Sequence, residues 1–251
     1  MNETMKHQHN HRSIRSFDDR PVEAEMVKQL LEIMNRSATS SGLQSYSVIH
    51  LTDPEKRQQL AKVCQQAYIT QIPELFVFIV DNYRNYAIAR AKGYEGNYHR
   101  TMDHFFRGIA DAYLAAQNLM TAIESLDMGG IFLGSIINHP MDTIQILELP
   151  VLTFPVVGLG FGYPAESPNI KPRMDVSLKV GENGYPYWED NILDAIKDYD
   201  EVMSHYYDTR DHNQRSDTFS NQIFKQALNE QADRANILEA VEKQGYLLRY
   251  D

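Results

Sequence analysis

Read from the amino terminus, the first sustained periodicity is helical. Over residues 21 to 38, PVEAEMVKQLLEIMNRSA sets Val22, Met26, Leu30, Ile33 and Met34 at helical spacings, with Pro21 suited to a first turn. The polar cluster SATSS ends that pattern, and LQSYSVIHL then alternates and is rich in strand-forming residues. Asp53 and Pro54 cap a second helix over EKRQQLAKVC. The run ELFVFIV, residues 74 to 80, is apolar throughout and bounded by Pro73 and Asp81, which predicts a buried strand.

A polar segment rich in Tyr, Arg and His follows. From about 101 to 126, Ala and large apolar residues recur on more than one helical face, predicting a central buried helix. It is expected to end at LDMGGIFLGS, with Gly129 and Gly130 placed for a left-handed cap. Asn138 and Pro140 open a further helix to Leu149, and VLTFPVVGLGFGYP reads as a strand leading into a proline-spaced extended loop ending NIKPRMD. From about residue 190 the chain reads as mostly helical, around the polar loop DTRDHNQRSDTFS. Without repeats or a clear linker, residues 1 to 251 are expected to form a single domain with a peripheral C-terminal arm.

Composition narrows the function classes. A hydrophobic content of 43% supplies a sizeable core, and a net charge of -10 argues against nonspecific nucleic-acid binding. The single cysteine, Cys64, has no partner for an intramolecular disulfide, and no Cys/His zinc spacing occurs. The opening MNETMKHQHNH lacks a signal-peptide core, and no run reaches a membrane-spanning length. A cytoplasmic protein with neither nucleic acid nor membrane as partner is expected.

Against that acidic background, HRSIRSF at 11 to 17 concentrates positive charge and donors. Arg12, Ser13 and Arg15 suit an anion clamp for a phosphate, or equally a surface ion-pair cluster with Asp18, Asp19 and Glu23. The alternation His7, His9, His11 would offer metal ligands on a strand face, although a solvated segment accounts for it more simply. TSSGLQ at 39 to 44 and GGIFLGS at 129 to 135 offer ligand contacts or plain turn and packing chemistry. Neither GxGxxG nor a phosphate loop is present. Lys171 and Arg173 flank Pro172, and Arg210 and Arg215 lie in the polar loop; each pair suits an anion or a solvated face. No GxSxG or other nucleophile signature occurs, so Cys64 and His104 read as packing or surface residues.

Taken together, HRSIRSF, SATSSGLQSYSVI, CQQAY, GGIFLGS, LPVLTFPVVGLGFGYP and KPR occur in an order and spacing that resembles the nitroreductase superfamily. The likeness is to the branch holding the oxygen-insensitive major NADPH nitroreductase and the NADPH-dependent FMN reductase. The resemblance implies an α+β fold, an antiparallel-type sheet surrounded by helices, and a homodimer with an extended C-terminal arm from about residue 190 that contributes to the NADPH site. It implies FMN as bound cofactor, held by His11, Arg12, Ser13, Arg15, Ser40, Gln66, Tyr68, Phe132, Leu133, Gly134, Ser135, Lys171 and Arg173. NADPH is the implied co-substrate, its 2'-phosphate meeting Arg210 or Arg215. Two electrons would pass by a ping-pong route to nitroaromatics, quinones, azo compounds or free flavin, with no protein nucleophile. A non-catalytic flavin-binding, storage or redox-sensing module is the alternative, and a hydrolase built on His104 or Cys64 would bind no flavin. Two positions depart from the family pattern: Phe132 stands where Tyr is frequent, and Ser135 where Gly is.

Overall fold

The computed structural model describes residues 1–188, 191–208, 217–228, 234 and 236–249. They fall into two compact units, Met1–Pro168 with Ala232–Asp251, and Asn169–Gln231. The first is built on a four-stranded antiparallel sheet: β1 (Tyr46–His50), β2 (Glu74–Asp81), β3 (Gly129–Leu133) and β4 (Thr153–Gly162), in the spatial order β1-β2-β4-β3. Six helices precede β4: α1 (Glu3–His9), α2 (Ala24–Met34), α3 (Pro54–Cys64), α4 (Tyr83–Ala91), α5 (Met102–Glu124) and α6 (Pro140–Ile146). The fold class is α+β.

Both central strands are buried along nearly their whole length, as the unbroken apolar run of β2 requires. Their alternation builds two cores. Phe76, Phe78 and Val80 join Leu119, Met120 and Ile123 of α5 on one face. Leu75, Val77 and Ile79 join Leu60 of α3, Ile69 and Ile136 on the other. Pro155 interrupts β4 where the register slips between Phe78 and Ile79, so the missing donor falls at a bulge.

Several local expectations need correction. Helix α2 starts at Ala24 after the N-cap Glu23, which leaves Pro21 outside the first turn. The polar segment after β2 folds into α4, which carries no fully buried residue and so has no apolar stripe to announce it. The left-handed residue beyond α5 is Asp127, at φ 55°, while Gly129 and Gly130 belong to β3. Their glycines serve packing instead: a Cβ on Gly129 would lie 2.4 Å from Ile14 Cγ1. Helix α6 begins at Pro140 with His139 as its N-cap, not Asn138, and ends at Ile146. Helix α5 buries one face only, leaving Phe106, Tyr113 and Leu114 at 62%, 47% and 51% exposure.

The second unit contains the helices Ile192–Ala195, Lys197–Asp208 and Phe219–Leu228. Tyr199 and Phe219 pack their rings 5.1 Å apart, and the Ser220 N–H donates to Asp200 at 2.9 Å. Among the described residues, no helix is long and apolar enough to cross a membrane.

Alternate glycines on β4 bring the chain after α3 onto the sheet. A Cβ at Gly160 would meet two Ile72 carbons at 2.7 Å, and Ile72 is fully buried. Gly160→Ala should therefore lower stability by about 1–3 kcal/mol in urea unfolding, through overpacking with no room to relax; an unchanged midpoint would contradict this close approach. A second prediction concerns acid. His99, stacked on Tyr86 at 4.0 Å, is held below the ordinary 6.5 by burial and then by Arg100. His104 is lowered too, by burial and then Arg107. Below 6.5 the unfolded chain takes up protons that the folded imidazoles refuse, so stability falls as pH drops through that range. His99→Phe should flatten this slope in unfolding curves recorded across it, and an equal slope would remove His99 as a cause.

Candidate active site

The stretch from residue 11 to 17 is extended beside the edge strand β3. Ser13 bridges Gly130 in parallel, the Ile14 N–H donates to the Gly130 carbonyl at 3.0 Å, and Phe17 bridges Pro164. Extended alternation buries Ile14 and turns Arg15 outward. Glu166 fixes the same residues, one carboxylate oxygen accepting the N–H of Arg15 at 2.5 Å and of Ser16 at 3.0 Å. His11 pairs through Nδ1 with Glu124 at 2.5 Å. Arg12 donates to Ser167 Oγ at 3.3 Å and to the Pro168 carbonyl at 3.1 Å. Asp18 is engaged by Arg20 at 2.8 Å, which disfavours the ion-pair cluster as the reason for Arg12 and Arg15. His7 and His9 lie on a helix rather than a strand, so their spacing of two sends them to different faces. Among the described residues, no group of three or more His, Cys, Asp or Glu is placed to hold a metal.

A second group forms where α3 ends. Gln65 adopts φ 53°, and the N–H groups of Gln65 and Gln66 return to the Lys62 and Ala61 carbonyls at 3.0 Å. Gln66 leaves this turn toward Ser135, in the short turn Gly134–Ile137 after β3. Gln66 Oε1 accepts from Ser135 Oγ at 3.0 Å and from the Tyr68 hydroxyl at 3.1 Å. Burial pushes the Tyr68 phenol up, and the positive charge of Arg15 opposes that shift. Burial likewise pushes the Cys64 thiol up, so this thiol is poorly suited to nucleophilic work. Leu133 is buried and Phe132 partly buried, whereas a Cβ on Gly134 would meet nothing within 4 Å. Arg234 donates to the Gly134 carbonyl at 2.8 Å.

Ser40 is held elsewhere. The Asp111 carboxylate, fully buried on α5, accepts the Ser40 N–H at 2.7 Å and the Ser45 N–H at 2.9 Å. That grip fixes a loop whose Ser41, Gly42 and Gln44 all have positive φ. Ser40 thus lies on the α5 side of the sheet, and Gln66, Tyr68 and Ser135 on the α3 side. Asp111, Glu124 and Glu166 were not singled out by sequence; Asp111 alone left a signal, as an acid within the apolar stripe of α5.

The structure brings Arg15, Gln66, Tyr68 and Ser135 together beside the open Gly134, with His11, Arg12 and Ser13 on the stretch that delivers Arg15. An open cleft of about 590 Å3 runs past His7, Arg12, Glu124, Asp127 and Ser167, and of the expected cofactor residues only Arg12 lines it. Lys171 and Arg173 are exposed in the second unit, where Arg173 donates to the Lys171 carbonyl at 2.9 Å. Arg210 and Arg215 lie outside the described residues.

Comparison with known proteins decides the family. The nitroreductase family model matches residues 9–163, and the C-terminal domain model of the same family matches residues 171–249. The chain belongs to the nitroreductase family. It is 34% identical over 241 residues to a protein of Staphylococcus saprophyticus called an NADPH-dependent oxidoreductase, covering 95% of each chain. Among solved structures, the NfrA1 nitroreductase from B. subtilis superposes with a TM-score of 0.90 at 33% identity, over 97% of this chain and 98% of that one. The NADPH:FMN oxidoreductase from Vibrio harveyi, complexed with NAD+, gives 0.86 at 30% identity over 99% and 100%. This nitroreductase-family chain is an oxidoreductase, in keeping with a site that gathers donors and presents no activated nucleophile.

The buried carboxylate supplies a direct check. Asp111→Ala should cost roughly 2–4 kcal/mol, by leaving the buried Ser45 N–H and the half-buried Ser40 N–H without an acceptor, and should speed amide exchange at Ser40 and Ser45 selectively. Asp111→Asn, which retains one oxygen, should fall between; unchanged protection in the alanine variant would show that the loop holds itself.

Proposed function

We propose that this protein is an FMN-dependent NADPH oxidoreductase, acting by a ping-pong route on nitroaromatics, quinones, azo compounds or free flavin. The observation that carries this reading is the convergence of Arg15, Tyr68, Gln66 and Ser135 beside Gly134, in a chain whose relatives include NADPH-dependent and FMN-reducing enzymes. When bound, FMN would supply the two-electron carrier between NADPH and the acceptor.

The residues fit such a group chemically. Arg15 offers an outward guanidinium suited to a phosphate or an anionic flavin edge. Gln66 offers its amide, and the empty space over Gly134 admits a flat ring. His11, Arg12 and Ser13 contribute the remainder of the clamp, with Phe132 and Leu133 as apolar neighbours. On sequence grounds alone we assign Lys171 and Arg173 to FMN, and Arg210, with Arg215, to the NADPH 2'-phosphate.

The functional unit in this proposal is a homodimer. Ser40 and Gln66 lie on opposite faces of one sheet, so both can serve one flavin only if Ser40 comes from a second copy. The half-exposed Phe106, Tyr113 and Leu114 on the outer face of α5 offer apolar surface for that contact. We place the enzyme in the cytoplasm, where NADPH is the reductant and a single buried thiol is stable.

The purified protein should show a flavin spectrum that bleaches on anaerobic addition of NADPH, and more slowly with NADH. Flavin that neither nucleotide reduces would convert the proposal to a binding module, and a protein that cannot be loaded with FMN would end it. Arg15→Ala should weaken FMN binding by at least about tenfold, the size of a charge-assisted hydrogen bond; full flavin retention would remove Arg15 from the clamp.

A further inference from the structure

The Ser135 hydroxyl, in the turn after β3, is not spare. Ser135 lies 9% exposed and donates to Gln66 Oε1 at 3.0 Å. Tyr68 makes the matching contact, its hydroxyl donating to the same oxygen at 3.1 Å. We propose that Ser135 is a positioning residue: with Tyr68 it locks the Gln66 amide with its oxygen inward and its NH2 group presented to the flavin. This rests on the flavin reading above.

The donor inventory fixes the direction. The Tyr68 hydroxyl has one proton, and it goes to Gln66 Oε1 at 3.1 Å. Ser135 Oγ likewise has one proton, and it goes to Gln66 Oε1 at 3.0 Å. Gln66 Oε1 receives both protons. Turning the amide over would set NH2 against two hydroxyls and leave both of their protons without that acceptor. Gln66 therefore enters the site as a donor that cannot rotate, suited to a carbonyl or anionic oxygen of the ligand. A glycine at 135 would leave Tyr68 to orient the amide alone.

A double-mutant cycle on FMN affinity tests this, by flavin fluorescence titration of the apoprotein. Ser135→Ala should weaken FMN binding about 3- to 10-fold, as for one neutral hydrogen bond, and Ser135→Thr, which keeps the hydroxyl, should restore it to within about twofold of wild type. Gln66→Ala should weaken binding at least as much, and adding Ser135→Ala to it should change nothing further. If the alanine variant does not fold, Ser135→Gly removes the same hydroxyl with less bulk and should behave identically. Unchanged affinity in Ser135→Ala, or a loss that persists in the Gln66→Ala background, would overturn the lock while leaving the flavin reading intact. A wild-type protein with no affinity for FMN would overturn both.

Discussion

The antiparallel pair β2 and β4, covered on both faces, is the constraint on which the rest depends. Its backbone groups are used within the sheet, and its side chains fill the two cores, so no reactive group can be placed there. Polar chemistry is confined to the rim: the extended stretch beside β3, the turn after β3 and the exit of α3. The glycines at 158, 160 and 162 matter in the same way. They flatten one face of β4 so that Leu133, Ile72 and Pro73 lie directly on it, which holds the Gln66 and Ser135 segments at one edge.

The same wall divides the candidate residues. Asp111 anchors the Ser40 loop on one side, while Gln66 and its partners assemble on the other. The Ser40 loop and the Gln66 group therefore lie on opposite faces of one sheet, and α5 leaves Phe106, Tyr113 and Leu114 exposed on its outer side. Charge follows a comparable division. The protein carries a net -10, so attraction for an anionic nucleotide has to be local, and Arg15 is turned outward while Asp18 is occupied by Arg20.

Much of this was legible in the chain. The run at 74 to 80 favoured a covered strand over a helix, and Asp53 with Pro54 starts α3 through a carboxylate that accepts the Glu55 N–H at 2.8 Å. Helix α4 was not legible, because a helix without a buried stripe leaves no periodicity. Gly129 and Gly130 misled for a different reason: a glycine after a helix signals a left-handed cap, but here each absent Cβ answers to a neighbour distant in sequence, Ile14 or Met120.

Sequence alone determined the strands β1, β2 and β4 and the helices α2, α3 and α5, since spacing of two or of three and four encodes such elements locally. It also determined the family, through an ordered set of short motifs. Tertiary structure alone decided that Ser40 and Gln66 lie on opposite sides of the sheet, that Asp111 holds a loop 71 residues away, and that Ser135 and Tyr68 meet on one amide oxygen. Such facts depend on which donor meets which acceptor across long stretches of chain. No local periodicity records that pairing.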